Sequence, residues 1–137
     1  MNDKRQNKLI KWLRIIVVLY VLIGAALYFW QDKFLLHPVS LPPHYRFQFE
    51  KPFSETLVKY NSTISFDIVR FKPQIDSIIK GAVIYCHGNM ENINHYTKFV
   101  SNFTKHGYEV WMMDYPGFGK STGDRTEQIF YDDAIQL

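Results

Sequence analysis

Apolar residues form an unbroken run near the start of the chain, from Ile15 to Trp30: IIVVLYVLIGAALYFW. Its 16 residues span about 24 Å as a helix at ~1.5 Å per residue, against ~30 Å for the hydrocarbon core of a bilayer. The aromatic end, Tyr28 to Trp30, is typical of a membrane–water interface. The pattern predicts one transmembrane helix over residues 15–30 that is retained as a signal anchor.

Two other interpretations of this run stay open at the level of sequence. One is a buried helix of a globular core, although a domain core has no need of such a run behind a basic leader. The other is a cleaved signal peptide, since Gly24-Ala25-Ala26 is an acceptable small-residue cleavage site. Bulky residues directly after that site, Leu27 to Trp30, favour the anchor.

Residues 31–53 follow as a connecting segment in which neither a helix nor a central strand can continue. Prolines interrupt the segment at Pro38, Pro42, Pro43 and Pro52. Its apolar side chains are too numerous for a free linker; they include Phe34, Leu35, Leu36, Tyr45, Phe47 and Phe49. We therefore expect this segment to pack on the domain or on the membrane surface.

Two kinds of strand pattern follow in residues 54–137. Thr56–Tyr60 and Ile64–Phe71 alternate in polarity on either side of an Asn-Ser-Thr turn, which predicts an antiparallel hairpin. Ala82–Cys86 and Val110–Met113 are continuously apolar, which predicts strands of a parallel sheet that are buried on both faces.

Helical spacing connects the two apolar strands. The apolar positions at this spacing are Ile93, Tyr96, Phe99, Val100 and Phe103, and the pattern ends at Gly107. Asp124, with Glu127 three residues later, resembles the capping box of a further helix. The order of elements predicts an α/β domain, in which an antiparallel hairpin leads into a parallel βαβ unit behind one transmembrane helix.

Positive charge is concentrated in the first 14 residues. Their charged side chains are Asp3, Lys4, Arg5, Lys8, Lys11 and Arg14. Because the whole chain has a net charge of +3, the remainder is close to neutral, which argues against a nucleic-acid partner. The basic leader predicts a cytoplasmic N-terminus over residues 1–14, with the domain on the far side of the bilayer.

The densest glycine cluster is Asp114–Gly123, DYPGFGKSTG, which contains the phosphate-loop sequence Gly-Lys-Ser. A Walker A loop requires glycine where this chain has Asp114, whose carboxylate would repel phosphates. The dinucleotide fingerprint fails because Gly119 and Gly123 are one residue too far apart. A nucleophile elbow is excluded because Phe118 stands at the position of the serine.

A structural turn beside a site is the remaining interpretation of this glycine cluster. Gly117 and Gly119 allow backbone conformations and close approaches that other residues resist. Asp114 at the end of its strand can accept hydrogen bonds from loop N–H groups, while Ser121 or Thr122 can hold the end of the turn.

The second loop, His87-Gly88-Asn89, follows the strand Ala82–Cys86, and open α/β sheets bind ligands at the carboxyl ends of their strands. By itself, a His-Gly pair after a strand is more often a plain turn. The combination of strand, His-Gly-Asn, helix, and a strand ending in Asp-Tyr-x-Gly-x-Gly-x-Ser-x-Gly resembles the first half of an α/β-hydrolase. The chain is similar over residues 31–137 to the membrane-anchored α/β-hydrolase domain-containing proteins, although Pro116 stands where many relatives carry arginine.

The resemblance implies roles for the His-Gly-Asn loop. The backbone N–H of Asn89 corresponds to one donor of an oxyanion hole, and His87 and Gly88 shape the loop that presents it. In acyl transfer, one such fixed donor lowers the barrier by ~3–4 kcal/mol. His87 is then a positioning residue and not the general base.

The resemblance also implies a reaction, the hydrolysis of an ester, thioester or amide of a small acyl substrate through an acyl-enzyme without a cofactor. The nucleophile, acid and catalytic histidine are expected beyond Leu137, so the chain alone is expected to be inactive. It is also expected to be poorly folded, because Ala82–Cys86 would be left as an unpaired apolar edge of the sheet. One alternative is a membrane-anchored pseudo-hydrolase that serves as a binding module. A weaker alternative is a nucleotide-binding protein.

The remaining cysteine and histidine residues do not predict a catalytic or metal-binding site. Cys86 is expected to pack at the end of its strand, because no neighbouring base makes it a nucleophile. The remaining histidines have no metal-ligand spacing, and no metal is expected; they are His37, His44, His95 and His106.

Overall fold

The computed structural model describes residues 3–74, 79–125, 129 and 131. It divides into two compact units, Met1–Leu36 and His37–Leu137. The predicted capping box of Asp124 and Glu127 lies in part outside the described residues, since Glu127 is not among them.

The first unit is a single helix, α1, which extends over Asp3–Leu35. It has 33 residues, and the mean hydropathy of its most apolar 18-residue stretch is 2.2. None of the residues in that stretch is buried inside the protein. The helix therefore has the length and composition of a membrane span. It also includes the basic residues 3–14, so the leader and the apolar run form one continuous helix.

The second unit contains short helices and strands in α/β order. The strands are β1 His37–Pro38, β2 Phe53–Lys59, β3 Ser65–Phe71, β4 Gly81–Cys86, β5 Met90–Glu91 and β6 Tyr108–Asp114. The helices are α2 Ile93–Tyr96 and α3 Ser101–Thr104, with a 3₁₀ turn at Thr97–Phe99 between them.

The main sheet has the strand order β2-β3-β6-β4. The predicted hairpin is confirmed, because β2 and β3 pair antiparallel from Phe53 opposite Phe71 to Lys59 opposite Ser65. The predicted βαβ unit is also confirmed, because β4 and β6 are parallel neighbours joined through α2 and α3. The sheet is thus mixed, with one antiparallel pair leading into a parallel one.

A polar side chain shapes the hairpin turn. The Asn61 Oδ1 accepts hydrogen bonds from the backbone N–H of Thr63 at 2.9 Å and of Ile64 at 2.8 Å. This Asx turn reverses the chain without glycine, because the asparagine side chain replaces a backbone acceptor.

The predicted helix from Ile93 to Phe103 is not continuous. It is interrupted by the 3₁₀ turn, where the Thr97 hydroxyl donates to the carbonyl oxygen of Asn94 at 2.9 Å. Such back-bonding from threonine competes with the regular helical pattern and bends the backbone. Ile93 and Val100 are still fully buried, but Phe99 is 38% exposed, so the predicted apolar face is correct only in part.

The prediction that Ala82–Cys86 is buried on both faces is wrong for the described structure. Only alternate residues of β4 are covered, and Ile84 is 51% exposed. The Tyr85 ring packs on the helical segment, at 6.4 Å from the ring centroids of Tyr96, Phe99 and Phe103. Burial alternates because β4 pairs only with β6 and, within the described residues, has a cover on one face.

The connecting segment packs on the sheet from Leu41 onward, as predicted. Residues 31–35 instead continue the helix α1 and are exposed, because the first proline of the segment comes only at Pro38. Phe47 is 6% exposed and belongs to the main core cluster, together with Val69, Phe71 and Val110. The Phe49 ring links this segment to the hairpin, at 4.9 Å from Phe53 and 5.2 Å from Phe71. Aromatic packing of this kind explains the high aromatic content of a segment without regular structure.

Candidate functional site

Parallel pairing places the two sequence-predicted loops at the same edge of the sheet. Cys86 at the end of β4 is opposite Met113 near the end of β6. The His-Gly-Asn loop and the glycine turn therefore start side by side, at the carboxyl ends of neighbouring strands. This edge is where open α/β sheets bind ligands.

The side chain of His87 is fully buried between these loops. Its Nε2 lies 3.2 Å from the Oδ1 of Asp114, and its Nδ1 lies 2.7 Å from the carbonyl oxygen of Gly88. Aromatic rings surround the imidazole, with centroids at 5.1 Å for Tyr96, 4.5 Å for Tyr115 and 5.4 Å for Phe118. A histidine enclosed in this way has no access to a substrate, which fits a positioning role.

Asp114 contacts both ends of the segment 87–93. The oxygen atom that lies near His87, Oδ1, also accepts a hydrogen bond from the backbone N–H of Ile93 at 2.9 Å. Ile93 begins α2, so one buried carboxylate holds the start of the loop and the first turn of the helix that follows it. Negative charge at this position also interacts favourably with the N-terminal N–H groups of the helix.

Gly88 and Asn89 lie at the exposed tip of the loop. A Cβ atom on Gly88 would lie 2.8 Å from the hydroxyl oxygen of Tyr96, which is closer than real Cβ contacts. The carbonyl of Asn89 accepts a hydrogen bond from the backbone N–H of His37 at 2.8 Å. Gly88 and Asn89 are therefore exposed residues, and the hydrogen bond from His37 fixes the peptide group that follows Asn89.

The segment that follows the helix α1 ties the two loops together, which the sequence pattern did not predict. Its strand β1 pairs in parallel with β5, directly after the His-Gly-Asn loop. The carbonyl of Val39 accepts both from the Asn92 side chain at 2.9 Å and from the Gly119 N–H at 3.0 Å. Leu41 N–H then donates to the Gly119 carbonyl at 2.6 Å.

The glycine turn is closed on itself and on its neighbours. The N–H groups of Gly117, Phe118, Gly119 and Ser121 donate to backbone carbonyls of the protein. A phosphate cradle needs such N–H groups to point at the ligand, so this turn has no cradle. The geometry agrees with a structural turn.

Gly117 and Gly119 have positive φ angles of 78° and 50°. At Gly119 a Cβ atom would overlap the Oδ2 of Asp114. Only glycine fits there, because the backbone must pass directly over the buried carboxylate. The glycine spacing therefore serves the packing of Asp114.

Hydroxyl groups close the end of the turn. The Ser121 hydroxyl donates to the Asp114 carbonyl at 2.5 Å and accepts from the Asp67 N–H at 2.8 Å. The Thr122 hydroxyl accepts from the Ser65 N–H at 3.0 Å. Ser121 and Thr122 together hold the turn against β3.

Asp67 is fully buried and stands opposite Asp114 in the β3–β6 register. Burial, followed by the nearby Glu55 carboxylate, raises the pKa of Asp67 from 3.8 to about 7, while the Lys120 ammonium lowers it. The Lys120 Nζ lies 3.8 Å from the Asp67 Oδ2 and binds the Glu55 carboxylate. It also donates to the Tyr45 carbonyl at 3.1 Å.

Sequence reasoning missed this charged cluster, in which Asp67 is buried, Lys120 is half-buried and Glu55 is exposed. A signal was available, because the period of two in β3 places Asp67 on the same face as Val69 and Phe71. Lys120 was read only as part of a glycine-rich motif, and its partners lie 65 and 53 positions earlier in the chain. Such distant pairing has no local signature.

Cys86 ends β4 and is an exposed free thiol, so its predicted packing at the strand end is wrong. It is exposed because it lies on the face of β4 that the described residues leave open. The described part of the chain contains no group of three or more His, Cys, Asp or Glu side chains placed to hold a metal ion.

Comparisons with known proteins bear on the family. The family model described as serine aminopeptidase, S33, matches residues 77–136. The human protein ABHD12B is 40% identical over 55 residues, which are 39% of this chain and 15% of that protein. The chain thus spans a small part of this relative.

Two solved structures have partly similar backbones. An α/β-hydrolase from Vibrio vulnificus has 14% identity and a TM-score of 0.49, covering 61% of this chain and 27% of that chain. The esterase PF2001 of Pyrococcus furiosus has 13% identity and a TM-score of 0.46, covering 74% of this chain and 40% of that chain. Neither backbone likeness is close enough to decide the fold.

The family model, the human relative and the strand topology agree with each other. The match at residues 77–136 includes the parallel strands β4 and β6. It also includes both loops at their ends, where His87 contacts Asp114. The chain therefore carries part of an α/β-hydrolase fold behind one apolar helix, and it resembles the α/β-hydrolase domain-containing proteins.

Proposed function

We propose that the chain belongs to a membrane-anchored serine hydrolase and supplies the oxyanion loop of its active site. The enzyme would hydrolyse an ester, thioester or amide bond through an acyl-enzyme. Support comes from the matched family, which is described as serine aminopeptidase. The substrate would be an acyl compound that reaches the exposed residues Gly88 and Asn89, and anchoring in a membrane favours a lipid or another acylated compound.

The observation that carries this proposal is the fixed geometry of the loop. Asp114 holds residue 87 through its imidazole and residue 93 through its N–H. The backbone N–H of His37 donates to the carbonyl of Asn89 and so fixes the middle of the loop. An oxyanion hole lowers a barrier only if its donors are already oriented, because reorientation during the reaction would cost the same free energy again.

Asn89 provides the sharpest test, because the proposed donor is its backbone N–H. In the full-length protein, Asn89→Ala should retain labelling by a fluorophosphonate probe and turnover of a p-nitrophenyl ester. Asn89→Pro lacks the N–H and should lower turnover by about 10²–10³. The two variants are matched, since both remove the side chain and only one removes the donor.

A thermal unfolding midpoint for each variant separates loss of the donor from loss of the fold. Equal turnover in Asn89→Ala and Asn89→Pro would overturn the oxyanion role. Absence of fluorophosphonate labelling in the wild-type full-length protein would favour the pseudo-hydrolase alternative instead.

The proposed orientation has a cytoplasmic N-terminus and the α/β domain on the far side of the membrane. It is supported by the basic residues that precede the apolar part of α1. A reporter that is active only in the cytoplasm, fused after Leu137, should be silent. An active reporter would reverse the orientation.

A further inference from the structure

The helix α1 is longer than a membrane requires. Its 33 residues measure about 50 Å at ~1.5 Å per residue, whereas the hydrocarbon core is ~30 Å thick. The uncharged part, residues 15–30, accounts for about half of this length. Residues 3–14 therefore continue as helix beyond the uncharged stretch. If α1 spans a bilayer, the basic residues nearest to Met1 would reach the lipid head groups.

Three lysines share one face of this helical extension. Lys4, Lys8 and Lys11 recur at intervals of four and three, which places them on one helix face. The apolar side chains of the extension are displaced from that face and exposed; they are Leu9, Ile10, Trp12 and Leu13. Arg5 and Arg14 fall among these apolar side chains, so the extension has one lysine face but no separate apolar face.

The cations of the extension are available for an external partner. None of the salt bridges in the described part of the chain includes Lys4, Arg5, Lys8, Lys11 or Arg14. Asp3 is the single acidic residue in the same stretch. The local excess of positive charge is therefore uncompensated by the protein.

We propose that residues 3–14 form a lipid-binding surface that selects anionic phospholipid head groups. The proposal rests on the proposed membrane span. A phosphate head group without a compensating ammonium attracts several nearby lysines, whereas a zwitterionic head group gains much less from the same contact. The partner is a lipid because residues 3–14 and the apolar run form one helix. Insertion of the apolar run into a bilayer therefore brings the lysine face close to the lipid head groups.

Trp12 is a natural reporter for this surface, because it lies between Lys11 and Arg14. The full chain, with Trp30→Phe and Trp111→Phe to remove the other tryptophans, is reconstituted into phosphatidylcholine vesicles. These vesicles contain equal fractions of either brominated phosphatidylglycerol or brominated phosphatidylcholine, and bromine quenches the fluorescence of adjacent tryptophan. Both leaflets have the same composition, so the result does not depend on orientation.

We expect quenching by the anionic lipid to exceed quenching by the zwitterionic lipid by about twofold or more at low salt. The excess should fall strongly at about 0.5 M salt, because screening shortens the range of the attraction. The triple variant Lys4→Gln, Lys8→Gln, Lys11→Gln should remove it. A matched variant with Lys33→Gln, Lys59→Gln and Lys105→Gln loses the same charge elsewhere and should keep it.

The other outcomes separate this proposal from the membrane span itself. Equal quenching by both lipids would show an inserted helix without selectivity and would overturn the proposal. Quenching by neither lipid would overturn the span as well. Equal loss of selectivity in both triple variants would also overturn the proposal, since net charge and not the lysine face would then be responsible.

Discussion

The His87 imidazole and the Asp114 carboxylate meet at 3.2 Å between Nε2 and Oδ1, and both side chains are fully buried. Asp114 is the last residue of β6, and His87 directly follows the neighbouring parallel strand β4. The two residues are 27 positions apart in the chain. Their contact joins the two loops, and the sequence did not predict this contact. Because Asp114 also binds the Ile93 N–H, it determines the path of the backbone between these points.

Removal of the Asp114 carboxylate should destabilise the domain. Asp114→Ala would leave the Ile93 N–H buried without its acceptor and the His87 ring without its charged neighbour. We expect a loss of about 2–4 kcal/mol in the free energy of unfolding. Asp114→Asn keeps an oxygen that can accept one bond and should lose less. Urea unfolding of the full-length protein in detergent, followed by tryptophan fluorescence, measures the change.

Glu50→Ala is the matched control for Asp114, because it removes the same charge from an exposed residue that forms no salt bridge within the described residues. Its free energy of unfolding should lie within about 0.5 kcal/mol of the wild-type value. If both variants lost the same stability, the contacts of Asp114 would not be the cause.

Gly119→Ala should be strongly destabilising. The new Cβ atom would overlap the Asp114 Oδ2, and alanine resists a φ of 50°. Together these effects should cost at least about 2 kcal/mol. Gly81→Ala is the control, because its Cβ atom would meet the Tyr108 ring at an ordinary 3.7 Å. Equal stability of the two variants would contradict the close approach of the turn to Asp114.

Tyr96→Phe should partly restore the stability that Gly88→Ala removes. Gly88→Ala brings a Cβ atom to 2.8 Å from the Tyr96 hydroxyl oxygen and should cost about 1 kcal/mol. Tyr96→Phe removes that oxygen, so the double variant should be more stable than the sum of the single effects implies. A double-mutant cycle in urea measures the coupling, expected at ~0.5 kcal/mol or more. Additive effects would show that the hydroxyl does not limit the loop.

Asp67 should make the domain less stable as pH rises. Burial holds the pKa of Asp67 at about 7 in the folded protein, above the ordinary 3.8, so the folded state binds the proton more tightly than the unfolded state. This contribution is complete below about pH 4 and is lost as pH rises through about 7. The groups that face Asp67 are Glu55, Lys120 and Asp114.

Asp67→Asn isolates this effect, because asparagine does not titrate. From about pH 4 to pH 8, the wild-type protein should lose a few kcal/mol of unfolding free energy relative to Asp67→Asn. Urea unfolding at several pH values gives this difference directly. A difference independent of pH would show that Asp67 ionises equally in the folded and unfolded states.

The sequence by itself determined the elements that depend on local pattern. A period of two in residues 56–71 predicted the hairpin, and uncharged residues 15–30 predicted an apolar helix. The two loop motifs, taken together, predicted the fold. These features are readable because backbone periodicity and turn chemistry act between residues that are close in the chain.

Tertiary structure decided the contacts between distant residues. Lys120 pairs with Glu55, Val39 joins both loops, and Asp67 becomes a buried acid opposite Asp114. It also decided that β4 is covered on one face and that Thr97 interrupts the helical segment. A side chain's burial and its charged neighbours depend on which strands pair across the sheet, and neighbouring residues in the chain do not specify this.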